Sequence, residues 1–279
     1  MGGLFLIAIV LRLARPFLVR RILPAAGALL FALVLIFASN YALTRQLFLT
    51  RSGSVFVFAR LMQDGIVKRL LDETCPQSGY RLCAYKNRLK TRADAWLWAP
   101  DSLFKARGGF HGDHSEENRI IADSIRRYPF LQIRAAVRDS ARQFFEFKTG
   151  DGIESQEWVL KPDFEKMAPR QLPRYLAARQ QQGRLRFEAL NMIHVTVGML
   201  SLLGLLLLFQ RALIRGQGSE AALPGLVLIA LIGNAIICGT FSNPHDHYQS
   251  RIIWLPALVF LLARARNPGV LRPQEESGT

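Results

Sequence analysis

Three uncharged apolar runs constrain this chain more than any other feature. Residues 22–43 read ILPAAGALLFALVLIFASNYAL, residues 191–210 read NMIHVTVGMLSLLGLLLLFQ, and residues 222–241 read ALPGLVLIALIGNAIICGTF. A helix rises about 1.5 Å per residue, so about 20 residues cross the ~30 Å hydrocarbon layer of a bilayer. Each run therefore predicts a membrane span. The 279 residues, half of them hydrophobic, have room for one or two domains besides.

Two further apolar stretches are shorter. Residues 252–263 precede Arg264, and a span over 251–264 results if Arg251 snorkels to the interface, with a kink expected at Pro256. The stretch LFLIAIVL (4–11), followed by Arg12, Arg15, Arg20 and Arg21, is too short to cross alone. It reads as an interfacial helix or as the stub of a further span, and both readings stay open. The run 22–43 has span length and ASNYAL lacks a small-x-small cleavage site, so it predicts an uncleaved anchor rather than a secretory signal.

The short loops set the orientation through their Lys and Arg. With four spans, the clusters before residue 22, at Arg211 and Arg215, and at Arg264 and Arg266 all fall on one side, the cytoplasmic one. The loop 242–250, SNPHDHYQS, has no Lys or Arg and falls on the other. The expected fold is an all-α integral membrane protein with about four transmembrane helices and a large helical extracytoplasmic domain. Its parts are a basic cytoplasmic or interfacial segment 1–21, a span 22–43, an extracytoplasmic domain 44–189, a span 190–210 and a cytoplasmic loop 211–221. A span 222–241, an outer loop 242–250, a short span 251–264 and a cytoplasmic tail 265–279 complete it.

The domain 44–189 holds 26 of the 36 Lys and Arg and 17 of the 21 acids, a difference of +9 within a chain total of +15. Long loops cross regardless of charge, so the basic excess does not oppose this topology. It suits anionic lipid headgroups or acidic glycans, and no recognition motif points to nucleic acid. Cys75 and Cys83, in TCPQSGYRLCAY, suit a disulfide in an oxidising compartment, the alternative being two buried thiols. Cys238 lies within a span as a free thiol.

Within the domain, apolar spacing predicts a helix over 52–74, a second over 115–129 ended by Pro129, a third over 130–150, and helix over 163–189 broken at Pro169 and Pro173. The aromatic stretch 94–118 reads as an ordered loop in which Trp96, Trp98, Phe104 and Phe110 form a small core.

The candidate chemistry is a set of histidines and carboxylates. His111, His114, His245 and His247 all face the outer compartment and are weak candidates for a divalent metal, because neither HGDHSEE nor HDH has the H-E-x-x-H helix-face spacing. No metal or other cofactor is favoured. His194 reads as an interfacial imidazole in the first turn of a span, and Asn234 as a partner to a neighbouring helix. Asp113, Glu116 and Glu117 suit a helix N-terminus, acid–base work or divalent-cation ligation, and Asp246 an ion pair with Arg251 or a substrate or cation contact. The candidates for a catalytic role are Asp246, His245 and Asp113, and those for substrate binding are His247, Tyr248 and Arg251. The chain has no G-x-x-x-x-G-K-[ST], G-x-G-x-x-G or G-x-S-x-G, which argues against nucleotide hydrolysis, dinucleotide chemistry and the common serine hydrolases.

Two resemblances follow from longer stretches. ARLMQDGIVKRLLDETCPQSGYRLCAYKNRL, ADAWLWAPDSLF and PHDHYQSRIIWLP together resemble a group of bacterial multi-pass membrane proteins without an established activity. That resemblance implies a bacterial inner-membrane protein with its large loop in the periplasm, and more N-terminal spans than this chain carries, making it a short form. HDHYQSRIIWLP is also similar to the last outer loop of multi-span glycosyltransferases that use polyprenyl-phosphate sugars, with His245, His247 and Tyr248 at the matching positions. Those enzymes hold a catalytic acid in a first outer loop that has no counterpart here.

Two functions are therefore carried forward. The first is an accessory or binding protein of the envelope, whose basic domain contacts a protein partner, lipid headgroups or a surface polymer at the bilayer. The second is a lipid-linked glycosyl or phosphoryl transferase, or a truncated relative of one, acting on a lipid-linked glycan. The disulfide gives the first test: Cys75 and Cys83 take up a thiol reagent in the unfolded protein only after reduction, and equal labelling before and after reduction counts against the pairing.

Overall fold

The computed structural model describes residues 15–266, so the stretch 4–11, Arg12 and the tail beyond Arg266 lie outside the described residues. Within them the chain is all-helical, with no strand. Three helices are long and apolar enough to cross a membrane, consistent with a membrane protein: α1 (Arg15–Thr44), whose spanning part is Ala26–Thr44, α10 (Glu188–Ile214) and α11 (Gly218–Phe241). Leu29, Leu30, Phe31 and Val34 on α1 are exposed, and so are Leu200, Leu203, Ile229 and Ile237 on the other two. A continuous apolar surface of this kind suits lipid rather than water.

The fourth expected span is not one long helix. The chain forms α12 (Asp246–Ser250), a turn at 251–254, and α13 (Leu255–Arg266), whose 12 residues fall short of spanning length. Pro256 sits in the first turn of α13, where a missing N–H costs no helical bond, so it starts the helix instead of kinking one.

A hydrophobic core gathers the first part of the domain. It is built by α2 (Gly53–Gln63), α3 (Ile66–Thr74), α4 (Ala93–Trp98), α5 (Leu103–Ala106) and α6 (Ser115–Arg127). The helix expected over 52–74 is two helices, because Gly65 takes φ 75°, a left-handed conformation that glycine enters at little cost. The break lets Phe58 and Leu61 of α2 and Val67, Leu70 and Leu71 of α3 enter one core. Trp96 and Phe104 are buried there, with ring centroids 6.1 Å apart, while Trp98 stays at the surface. Cys75 and Cys83 are joined as a disulfide, and the turn they close sends Tyr80 and Leu82 into the same core.

Pro129 ends α6 and opens α7 (Pro129–Phe145). The third helix was expected to run to Gly150, yet it stops at Phe145 and residues 146–152 leave the helical path. Farther on, α8 (Glu157–Met167), a tight turn at Pro169–Gln171 and α9 (Leu172–Leu176) replace the broken helix expected over 163–189, and residues 177–187 are not helical.

α7 is the joint of the molecule. Its most extensive helix contact is with α11. The buried positions recur every fourth residue on both helices, at Ala135, Asp139 and Gln143 on one and at Leu231, Ala235 and Gly239 on the other. Small residues at such a stripe let two helix backbones approach closely. On its other side α7 joins α2 through buried charges: Arg60 lies 3.2 Å from Asp64 and 3.7 Å from Asp139, and Arg138 bonds both aspartates. Breaking one partner of such a buried pair costs about 3–5 kcal/mol, because the other charge is left uncompensated. Beyond α7, Phe147 is buried in a second cluster with Leu202, Leu205, Leu231 and Ile253 of the apolar bundle.

The closest point between α7 and α11 gives a prediction. A Cβ on Gly239 would stand 2.5 Å from Ser140 N and 2.7 Å from the Asp139 carbonyl, both backbone atoms that cannot swing aside. Gly239→Val should lower stability by about 1–3 kcal/mol or more in thermal melts of the detergent-purified protein. Gly233→Ala, where a Cβ meets nothing within 4 Å, should not lower it.

Candidate functional site: the clasp on the loop after α11

Local sequence explains the shape of the loop after α11. Asn243 precedes Pro244 and is thereby held out of helix. His245 is extended, at φ −143° and ψ 137°, so its N–H and C=O point sideways. Both are taken by one side chain. The His245 N–H donates to Gln143 Oε1 at 2.8 Å, and Gln143 Nε2 donates to the His245 carbonyl at 2.8 Å. Gln143 is fully buried, so this amide-to-backbone pairing is shielded from water.

The segment 146–152 supplies the other half. The Lys148 N–H donates to Asp246 Oδ1 at 2.6 Å. Asp151 stands between Gly150 and Gly152, whose φ values of 117° and 80° fold a tight turn that aims its carboxylate back at the loop. Asp151 Oδ2 accepts the His247 N–H at 3.1 Å and lies 2.7 Å from His247 Nδ1, while Oδ1 lies 3.2 Å from His245 Nδ1. The far edge of the His245 ring meets the domain, with Nε2 3.5 Å from Asp94 Oδ1 and 2.8 Å from Asn243 Nδ2. Tyr248 packs against His247 with ring centroids 4.2 Å apart.

Charge follows this geometry. The bond to Asp94, opposed by burial and reinforced by Asp151, pushes His245 up to about 9. Asp94 is held below the ordinary carboxylate range, chiefly by its bond to His245. Burial alone would raise Asp151, but the backbone and ring bonds from His247 and the charge on His245 bring it below its usual value.

A polar layer supports the clasp from the bundle side. The Thr149 N–H donates to Asn191 Oδ1 at 2.7 Å, Asn191 Nδ2 returns a bond to the Thr149 carbonyl at 2.9 Å, and Thr149 Oγ1 lies 3.0 Å from His194 Nδ1. Asn234 Nδ2 donates to Gln249 Oε1 at 2.8 Å and to the Tyr248 carbonyl at 3.1 Å. Gln249 Nε2 in turn donates to the Leu231 carbonyl at 3.2 Å.

Of the residues singled out in the sequence, His245, Asp246, His247 and Tyr248 meet here. His111 and His114 do not join them: His111 sits on an exposed turn, and His114 stacks on Phe104 in the domain, its ring centroid 5.8 Å away. Asp113 accepts the Ser115 N–H at 3.0 Å and the Ser115 hydroxyl at 2.9 Å, a helix-opening role. The expected Asp246–Arg251 pair is replaced by the bond to Lys148 N–H, and among the described residues Arg251 forms no ion pair. Sequence reasoning missed Asp94, Gln143 and Asp151. Only Asp151 had a local signal, as the acid of a Gly-Asp-Gly turn directly after a helix.

The loop residues are thus turned inward onto the domain. Among the described residues, one histidine–carboxylate group has the spacing to hold a cation: Asp151, His245 and His247 each offer one ligand atom, all within 4.8 Å of one another. No protein-family model, curated protein or solved structure matches this chain.

Gln143→Leu removes both bonds to His245 and leaves two backbone groups unpaired at a buried position. It should destabilise the purified protein by about 2–4 kcal/mol and accelerate amide exchange at residues 245–249. Unchanged exchange there would show that the loop is held by something else.

Proposed function

We propose that this chain is an accessory or binding protein of the bacterial envelope rather than a transferase. On this reading it is a four-span inner-membrane protein, with the helical path from Asp246 to Arg266 serving as the last, interrupted span and the domain 44–189 on the periplasmic side. One observation carries the choice: Gln143, Lys148, Asp151 and Asp94 engage the loop's histidines and acids, so these groups hold the molecule together instead of facing a substrate.

The surface suited to a partner lies elsewhere, around the Cys75–Cys83 turn. A cleft of about 350 Å³ there is lined by Arg81, Arg107 and Arg119 together with Asp113 and Glu116. A second, of about 710 Å³, shares Arg119 and adds Tyr80, Arg126 and Arg127. Several of these cations are already matched: Arg107 pairs with Glu116 at 2.9 Å, Arg127 with Glu73 at 3.0 Å and Arg126 with Asp123 at 3.6 Å. Arg119 lies 4.7 Å over the Tyr80 ring and donates to the Ser78 carbonyl at 3.3 Å. Arg81 and Arg119 form no ion pair among the described residues, so they offer positive charge to an acidic surface polymer.

The test uses the intact protein in nanodiscs. Arg81→Glu with Arg119→Glu should weaken binding to an acidic polysaccharide about tenfold or more at low salt, read by co-sedimentation. Equal binding by that variant and the wild type sinks the binding surface. Arg251→Ala should leave envelope glycan unchanged in cells, and a loss of glycan in that variant favours the lipid-linked transferase.

A further inference from the structure

The clasp has one property that hydrogen bonding between loop and domain does not require. Two imidazole Nδ1 atoms converge on the same carboxylate, at 2.7 and 3.2 Å, although the segments that bring them are about a hundred residues apart in the chain. We propose that Asp151, His245 and His247 form a binding site for a divalent transition-metal ion of the Zn²⁺ type, which fastens the 242–251 loop to the Gly150–Gly152 turn.

The donor set selects the ion. Two imidazole nitrogens and a carboxylate suit Zn²⁺, Co²⁺ or Ni²⁺, whereas Ca²⁺ and Mg²⁺ favour all-oxygen shells. The spacing fits with a small adjustment. Metal–ligand bonds of about 2.0–2.2 Å in a tetrahedron put neighbouring donors roughly 3.3–3.5 Å apart. His245 Nδ1 stands 3.2 Å from Asp151 Oδ1 and His247 Nδ1 2.7 Å from Oδ2, and with the three ligand atoms all within 4.8 Å of one another a bound ion would draw both rings toward one carboxylate oxygen.

The surroundings complete the argument. Coordination through Nδ1 places the His245 ring proton on Nε2, where Asp94 Oδ1 stands at 3.5 Å to accept it, once the Asn243 amide nitrogen now 2.8 Å away turns aside. A carboxylate behind a metal-bound histidine fixes its tautomer and raises its basicity. Asp151 is itself oriented by the His247 N–H. The side chains of Asp151, His245 and His247 are 20%, 23% and 32% exposed, so water can reach the face opposite them and fill the remaining positions. Three protein ligands with an accessible fourth position describe an open site rather than a sealed structural one. The inference does not depend on the binding role assigned to the arginine surface.

The experiment titrates tag-free, full-length protein in detergent with Zn²⁺ and, separately, Co²⁺ after chelator treatment. The wild type should take up about one equivalent of Zn²⁺ and give the visible bands of protein-bound Co²⁺. Asp151→Asn and His247→Ala should each weaken Zn²⁺ binding about 100-fold or more, and Asp94→Asn, which acts through His245, about 10- to 100-fold. His247→Cys keeps a ligand and should add a sulfur-to-cobalt charge-transfer band, a signature that a purely structural histidine would not produce. Absence of a saturable equivalent in the wild type overturns the proposal, and this measurement needs no variant to fold. So does unchanged affinity in Asp151→Asn and His247→Ala, lack of the sulfur band in a folded His247→Cys protein, or loss of binding on replacing His111 and His114 instead.

Discussion

Gly239 is the place where the domain and the apolar bundle touch backbone to backbone, and the rest of the architecture depends on that approach. Without a side chain there, α11 meets α7 at Asp139 and Ser140. One turn farther along α7, Gln143 comes within bonding distance of His245, and just past its end Phe147 enters the bundle against Gly198. The same device recurs inside the bundle, where the rings of Phe209 and Phe260 fill the space beside Gly225 and Gly204. Between lipid-facing helices such a ring acts through van der Waals packing against the close backbone rather than through removal from water. On the opposite flank, Arg60, Asp64, Arg138 and Asp139 bind α7 to the domain core. α7 therefore links the core to the 242–251 loop through contacts on both of its sides.

The buried charge pattern also separates two kinds of acid in this protein. Asp64, deep between α2 and α7, is pushed up by burial despite its arginine neighbours. Asp94 and Asp151, at the wetter clasp, are drawn down by the histidines they hold. The first kind adds specificity to a joint at some desolvation cost. The second is stabilised in its charged form by the bonds it accepts, and those bonds hold the 242–251 loop.

Membrane-spanning length was readable because it rests on composition over many residues, and α1, α10 and α11 lie where the uncharged runs do. Pro129 was readable because proline acts on its own backbone. Gly65 was not, since its left-handed turn is rewarded only by the tertiary placement of Val67 and Leu71. The loop residues His245, His247 and Tyr248 stood out by their density, but their partners did not. Asp94 on α4 and Gln143 on α7 look like ordinary polar residues of helices, and only the tertiary placement of those two helices beside the loop brings them to it. Likewise Asp246 and Arg251, neighbours in sequence, part because α12 directs one toward Lys148 and leaves the other exposed.

The pairing of Gln143 with His245 joins positions 102 residues apart, with both long helices α10 and α11 between them in the chain. It cannot form until those helices have packed, and until then the Gln143 amide nitrogen has only the nearby Glu146 carbonyl at 3.5 Å or water to bond. The seam between α7 and the loop is therefore a non-local contact, slow to form because loop closure over a long separation comes before its reward.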